Sequence, residues 1–205
     1  MGYAPIGALC ISLFGILPLH LGTRFLVLPA ALVCMVTAIA SPAWGRRALA
    51  GFLAGVVATA AYDATRLALV WAGVWPDFIP PIGRLALMDQ AASPIWGYAW
   101  RFLGNGGGMG LTFAMLPWRG TRAGMLYGAF VCCCLYLTLL FAPHAQETMF
   151  RLTPLTAAAA MIGHLDYGLV LGWLLTRWLP KLAPTELVMV IAEVVPAEDP
   201  TSARS

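Results

Sequence analysis

Seven residues of this chain combine reactive side chains with an apolar setting: Asp63, Arg66, Arg101, Asn105, His164, Asp166 and Tyr167. Each lies inside a long hydrophobic run, where polar groups are costly and normally pair or mark a solute path. Asp63 and Arg66 stand three apart, so on a helix they share a face and can form an ion pair. Arg101 and Asn105 stand four apart and also share a face. His164 and Asp166 are two apart and point to nearly opposite sides of a helix, so they do not form a coupled acid–base unit. His164 shares its face with Tyr167 and Gly168 instead. Asp166 is then available to Arg66 or Arg101 on another helix.

Depth brings the seven together. A helix rises about 1.5 Å per residue. Counted from Leu155, His164 and Asp166 fall about 14–17 Å deep, near the middle of a hydrocarbon core about 30 Å thick. Counted back from Trp75, Asp63 and Arg66 fall about 18 and about 14 Å deep. Counted from Pro94, Arg101 and Asn105 fall about 10 and about 16 Å deep. Two acids, Asp63 and Asp166, balance two bases, Arg66 and Arg101. Such a set can act as a buried clamp that fixes helix register. It can also serve as a proton or small-solute path with Asp63, Asp166 and His164 as titrating stations, or line a ligand cavity between helices.

The elements that carry these residues are read from composition and hydropathy. Of 205 residues 60% are hydrophobic and only 10% charged. A soluble domain has about 25% charged residues, so this chain is expected to be an integral membrane protein with lipid as its surrounding partner. No basic run with interleaved aromatics is present, which argues against nucleic acid as a partner. The N-terminus lacks a positive n-region and a small-residue cleavage site, so the first apolar segment reads as a retained helix. Six segments approach the roughly 20 apolar residues that a span needs: residues 5–21, 25–44, 48–75, 94–116, 123–142 and 155–179, with a tight turn at Gly22-Thr23-Arg24 between the first two. The expected fold is all-α: a polytopic transmembrane bundle of about six spans over residues 1–182, followed by a cytoplasmic tail, 183–205. In that tail Thr185 is placed to cap a short helix, and 187–195 forms an apolar patch too short to span.

Basic residues set the orientation. Arg46, Arg47, Arg119, Arg122, Arg177, Lys181 and Arg204 fall on one side and Arg24, Arg84 and Arg151 on the other. This places both termini in the cytoplasm. Trp71, Trp75, Trp96 and Trp100 are expected at one interface, and Trp44, Trp118, Trp173 and Trp178 at the other. In the outer loops a short interfacial helix is expected over 82–90, and Glu147 and Arg151 would pair if helical. Three G-x-x-x-G pairs, Gly51/Gly55, Gly124/Gly128 and Gly168/Gly172, mark faces where backbones approach, within the chain or toward other subunits or a second copy. The glycines from Gly104 to Gly110 read as another packing face, the rival being a broken helix that exposes carbonyls. The third and fourth helices and the fifth and sixth read as two copies of one hairpin.

Soluble-type catalytic signatures are absent: no H-E-x-x-H, G-x-S-x-G or Walker loop occurs. Cys132, Cys133 and Cys134 point in three directions on a helix and cannot converge on one metal. His20, His144 and His164 are the three histidines, and only His164 is deep, so a midplane haem would want a second axial histidine. No cofactor or metal is therefore expected, and the chain reads as a non-catalytic membrane protein or complex subunit, with an intramembrane enzyme or haem-binding protein as the remaining alternative.

The stretch around Pro154, Gly163, His164 and Tyr167 resembles the late helix of the YagU-like family, with its G-H-x-x-aromatic element after a loop ending in proline. The resemblance covers the last third of the chain. It implies a multi-pass protein of the bacterial inner membrane and assigns no chemistry.

Overall fold

The computed structural model of the chain describes residues 1–91 and 93–179. The expected tail, 183–205, with Thr185, 187–195 and Arg204, lies outside the described residues, as does Lys181. Among the described residues the fold is all-helical. The elements are α1 (Ala4–Leu13), α2 (Leu19–Ala40), α3 (Pro42–Trp71), α4 (Ile79–Leu87), α5 (residues 95–115), α6 (Thr121–Phe141), α7 (Ala145–Thr148) and α8 (Pro154–Trp178). Four of them, α2, α3, α6 and α8, are long and apolar enough to cross a membrane. The helix α5 is unbroken but carries Arg101, Asn105 and six glycines, which lower its apolarity.

The first apolar segment departs from expectation. It is not one helix over 5–21: α1 stops at Leu13 and α2 starts at Leu19. Gly15 sits at φ +73°, its N–H bonds Ser12 O, and Ile16 N–H bonds Ile11 O. These two bonds form a Schellman stop, which favours glycine because other residues resist a left-handed backbone. Pro18 then precedes the new helix. The turn expected at Gly22-Thr23-Arg24 is absent, because the chain runs through it as a π-helical turn, Thr23–Val27. Thr23 Oγ1 donates to Leu19 O at 2.8 Å, and Gly22 is pressed against Ala8, where a Cβ would lie 3.0 Å from the alanine Cβ. Gly22 serves close packing here and not a reversal of the chain.

Two helix pairs form the bundle, and each closes on glycine. In the first, α3 runs antiparallel to α5, with Gly51 and Gly55 facing Gly110 and Gly106. In the second, α6 runs antiparallel to α8, with Gly124 and Gly128 facing Gly168, Gly172 and the His164 backbone. A Cβ at Gly55 or Gly124 would strike the carbonyl oxygen of Gly106 or Gly168, so only glycine permits these separations. The G-x-x-x-G faces are thus filled within the chain, and the Gly-rich stretch of α5 is a packing face. The two pairs join along α3 and α8. The helix α2 lies outside them, and none of residues 23–40 is buried.

The end of the bundle where α3 finishes and α5 begins is closed by the chain between them. Gly73, at φ +71°, ends α3 in a second Schellman stop: its N–H bonds Val70 O, and Val74 N–H bonds Leu69 O. The reversal folds Trp75 inward, where it meets Phe150 edge-on at 5.0 Å. Trp75 and Trp100 are therefore buried, at 3% and 9% exposure, and do not belong to the interfacial belt expected of them. Trp71 and Trp96 on that side, and Trp118, Trp173 and Trp178 on the other, are exposed. The helix expected at 82–90 begins earlier, at Ile79, because Pro80 and Pro81 fit a first helical turn. It buries Ile79, Ile82 and Ala86. The helix α7 ends at Thr148, so Glu147 and Arg151 do not share a helix and form no ion pair. The start of α8 is held by a reciprocal pair: Thr156 N–H donates to Thr153 Oγ1 at 3.2 Å, and Thr153 N–H to Thr156 Oγ1 at 2.9 Å.

Candidate functional site

The buried charges converge on Asp63. Its Oδ1 accepts from Arg66 Nε at 3.1 Å, one turn along α3, and from Arg101 Nε on α5 at 2.7 Å. Arg101 Nη2 reaches the same oxygen. Asp63 and Arg66 are 2% and 1% exposed, so both charges are out of water and depend on this pairing. Arg66 continues outward. Its Nη1 donates to Asp77 Oδ1 at 3.0 Å, and Tyr98 OH donates to Asp77 Oδ2 at 3.2 Å. Aromatic faces cover the guanidinium groups: Arg101 lies 4.5 Å from the Tyr62 ring centroid, and Arg66 5.8 Å from that of Phe78.

The set is charge-balanced, but its second acid is Asp77 and not Asp166. Asp166 is half-buried and makes no ion pair with a described residue. The reason is rotational. The buried face of α8 is the one carrying Ala160, His164, Tyr167, Gly168 and Leu171, and Asp166 falls off it. Asp77 lies beyond the end of α3, and depth counted along helices gives no sign of it. The left-handed Gly73 turns the chain back and returns Asp77 to Arg66. A glycine just past a helix, followed four residues later by an acid, was the signal available.

His164 has a partner in its own helix. Its Nδ1 lies 2.8 Å from Ala160 O. A carbonyl only accepts, so Nδ1 carries the hydrogen and Nε2 of the neutral ring is an acceptor. The ring meets Tyr62 edge-on at 5.0 Å. Tyr167 OH donates to Gly106 O at 2.9 Å, inside the π-helical segment Trp100–Gly107. Tyr127 OH donates to Met109 O at 2.9 Å, just after it, and receives Tyr3 OH at 2.7 Å. Tyrosines from both α6 and α8 therefore fasten α5 by its carbonyls. Tyr3 and Tyr127 do not stand out in the sequence, because a tyrosine in an apolar run has no spacing that marks its partner.

Two members of the set are unsettled: Asn105 Oδ1 and Asp63 Oδ2 are both buried and have no hydrogen-bond partner among the described residues. Asn105, Arg101, Tyr62 and His164 form the polar end of a cavity of about 140 Å³. The remaining walls are mostly apolar and come from α1, α4, α6 and the turn before α8. On the far side of Asn105 a second pocket, of about 30 Å³, reaches Thr59, Gly106 and Tyr167.

No protein-family model, curated protein or solved structure matches the chain.

Proposed function

We propose that this chain is a non-catalytic multi-pass membrane protein, a binding or scaffold subunit, whose buried charge set holds the bundle in register. The observation that carries the reading is the convergence of Arg66 and Arg101 on one oxygen of Asp63. Every charge in the set has an opposite charge in contact. Such an arrangement ties α3 to α5 and, through Asp77, to the outer cap. Residues of a transport path need a change of state, whereas each charge here already has its counter-charge, although only Oδ1 of Asp63 is engaged and Oδ2 is buried without a partner among the described residues.

The resemblance of the last third to YagU-like proteins supports placement in a bacterial inner membrane. Six segments with both termini in the cytoplasm remains the topology we favour. Supporting it, Tyr3 meets Tyr127 toward the start of α6, while Leu13 O accepts from His144 N beyond its end. The short α1 thus runs alongside α6 in the same direction, which puts the N-terminus on the side where α8 ends. The apolar outer face of α2 is the surface such a subunit would turn to lipid.

A small-solute or proton transporter using the same residues is the rival. The polar pocket between Thr59, Asn105, His164 and Tyr167 is the observation on its side. Asp63→Asn separates the two. The clamp reading expects loss of monodisperse folded protein in detergent. A stable Asp63→Asn protein whose proteoliposome flux changes its pH dependence would falsify the clamp and favour transport.

A further inference from the structure

The cavity has a chemistry that the charge clamp does not require. One end is polar and the rest is mostly apolar; Tyr3, Cys10 and Thr138 in those walls bond to protein partners, and the Trp100 N–H is buried without one among the described residues. At the polar end the Asn105 Oδ1 is buried without a partner, and His164 Nε2 is an acceptor with no hydrogen bond to a described residue. A buried amide left unpaired costs about 1–3 kcal/mol, which a suitable ligand group recovers. The charges beside it already cancel: Arg101 directs Nε and Nη2 at Asp63. An anionic ligand gains little from a guanidinium so engaged, and a carboxylate cannot donate to either acceptor. A hydroxyl can donate its single hydrogen to one of them. With the amide oxygen and nitrogen interchanged it serves both groups, accepting from the Asn105 N–H and donating to His164 Nε2.

Size and access narrow the ligand further. An engineered apolar cavity of about 150 Å³ admits benzene, so about 140 Å³ suits one ring or a short chain. The cavity lies between α1 and α6, where Phe130 is 61% exposed and Cys134 is also exposed. The polar links between these helices lie toward the ends: Tyr3 to Tyr127, and Cys10 to Thr138 at 3.8 Å. The gap between them faces the side of the bundle, toward lipid. We propose that this cavity binds a neutral lipophilic alcohol or phenol entering from the bilayer between α1 and α6, with its hydroxyl on Asn105 and His164.

The test uses the full chain in detergent and three size-matched probes: 4-bromophenol, bromobenzene and 4-bromobenzoate. Bromine quenches the fluorescence of Trp100, which lines the cavity. The expected result is saturable quenching by the phenol, absent in Trp100→Phe, at a concentration about tenfold below that for bromobenzene, as one hydrogen bond implies. Asn105→Leu should remove that difference. Leu135→Phe, in the α6 wall that packs against the apolar cluster of Ile79, Ile82 and Phe150, should weaken both neutral probes alike and keeps the test decisive if Asn105→Leu does not fold. Equal saturation by bromobenzene and 4-bromophenol in the unaltered protein overturns the assignment of the polar end. Tighter binding of 4-bromobenzoate shows an anion site on Arg101 instead. Unsaturable quenching by all three removes the site altogether.

Discussion

Asp63, Asp77 and Asp166 are three aspartates at or near the membrane, and their surroundings grade what each contributes. Asp63 pairs with the buried Arg66 and the partly buried Arg101, so Asp63→Asn strands charge out of water and is expected to cost about 3–5 kcal/mol. Asp77 holds one hydrogen bond from Arg66 and one from Tyr98, with its side chain 32% exposed. Solvent screens part of that pairing, and Asp77→Asn is expected to cost about 1 kcal/mol. Asp166 has no such partner, and Asp166→Asn is expected to stay within about 0.5 kcal/mol. Thermal unfolding of the three variants in one detergent orders them, and an Asp166→Asn loss as large as that of Asp63→Asn contradicts the scheme. Tyr167→Phe is a separate case. It leaves Gly106 O without its donor inside the bundle, at about 1–3 kcal/mol, with no change in charge. Of the seven candidate residues, the sequence paired Asp63 with Arg66 correctly, because i,i+3 spacing is a property of one helix. It paired Asp166 wrongly, because which face of α8 meets α3 depends on the neighbouring helices.

At the scale of elements, glycine decides both where helices stop and where they touch. Gly73 stands in open space, with nothing within 4 Å of where a Cβ would project, so Gly73→Ala carries only the cost of a left-handed backbone, about 1–2 kcal/mol. Gly168 is different: a Cβ there meets the Gly124 carbonyl, which belongs to a helix backbone and cannot step aside. Gly168→Ala should therefore part α6 from α8 and destabilise by more than Gly73→Ala. Gly7, with open space around its Cβ, is the control, and Gly7→Ala should be neutral or slightly stabilising. Side-by-side unfolding midpoints check the order, and equal effects at Gly168 and Gly7 would remove close packing as the reason for the motif. The motif itself was legible in the sequence. Its pairing scheme was not, since G-x-x-x-G states that a backbone approaches without naming which one. The stop at Gly15 was legible in principle, as a glycine followed three residues later by Pro18. Hydropathy averaged across that break and merged α1 with the first turn of α2 into one expected span.

For the whole molecule, the arrangement of two glycine-closed pairs fixes which ends lie together. The Pro42 end of α3, the Met115 end of α5, the Thr121 end of α6 and the Trp178 end of α8 share one side. Arg46, Arg47, Arg119, Arg122 and Arg177 lie at or near that side, in accord with the basic-residue rule. In a background with the five native cysteines replaced, Ser41→Cys and Arg122→Cys are expected to react with an impermeant thiol reagent only from the cytoplasmic face. Ser93→Cys and Glu147→Cys are expected to react only from the other. Labelling of Ser41→Cys and Ser93→Cys from one face contradicts the proposed topology.

Composition determined that the chain is built for a membrane, because 10% charged residues cannot clothe a soluble surface, and the length of its apolar runs determined that it is helical. Periodicity within one helix determined which polar residues share a face. Only the tertiary structure decided that Asp77 and not Asp166 completes the charge set, that Trp75 and Trp100 turn inward, and that Asn105 and His164 look onto one cavity. Each of these depends on the rotation of one helix against another and on chain reversals at Gly15 and Gly73. Those rotations are set by where glycine lets two backbones touch, a relation between segments that no single stretch of sequence contains.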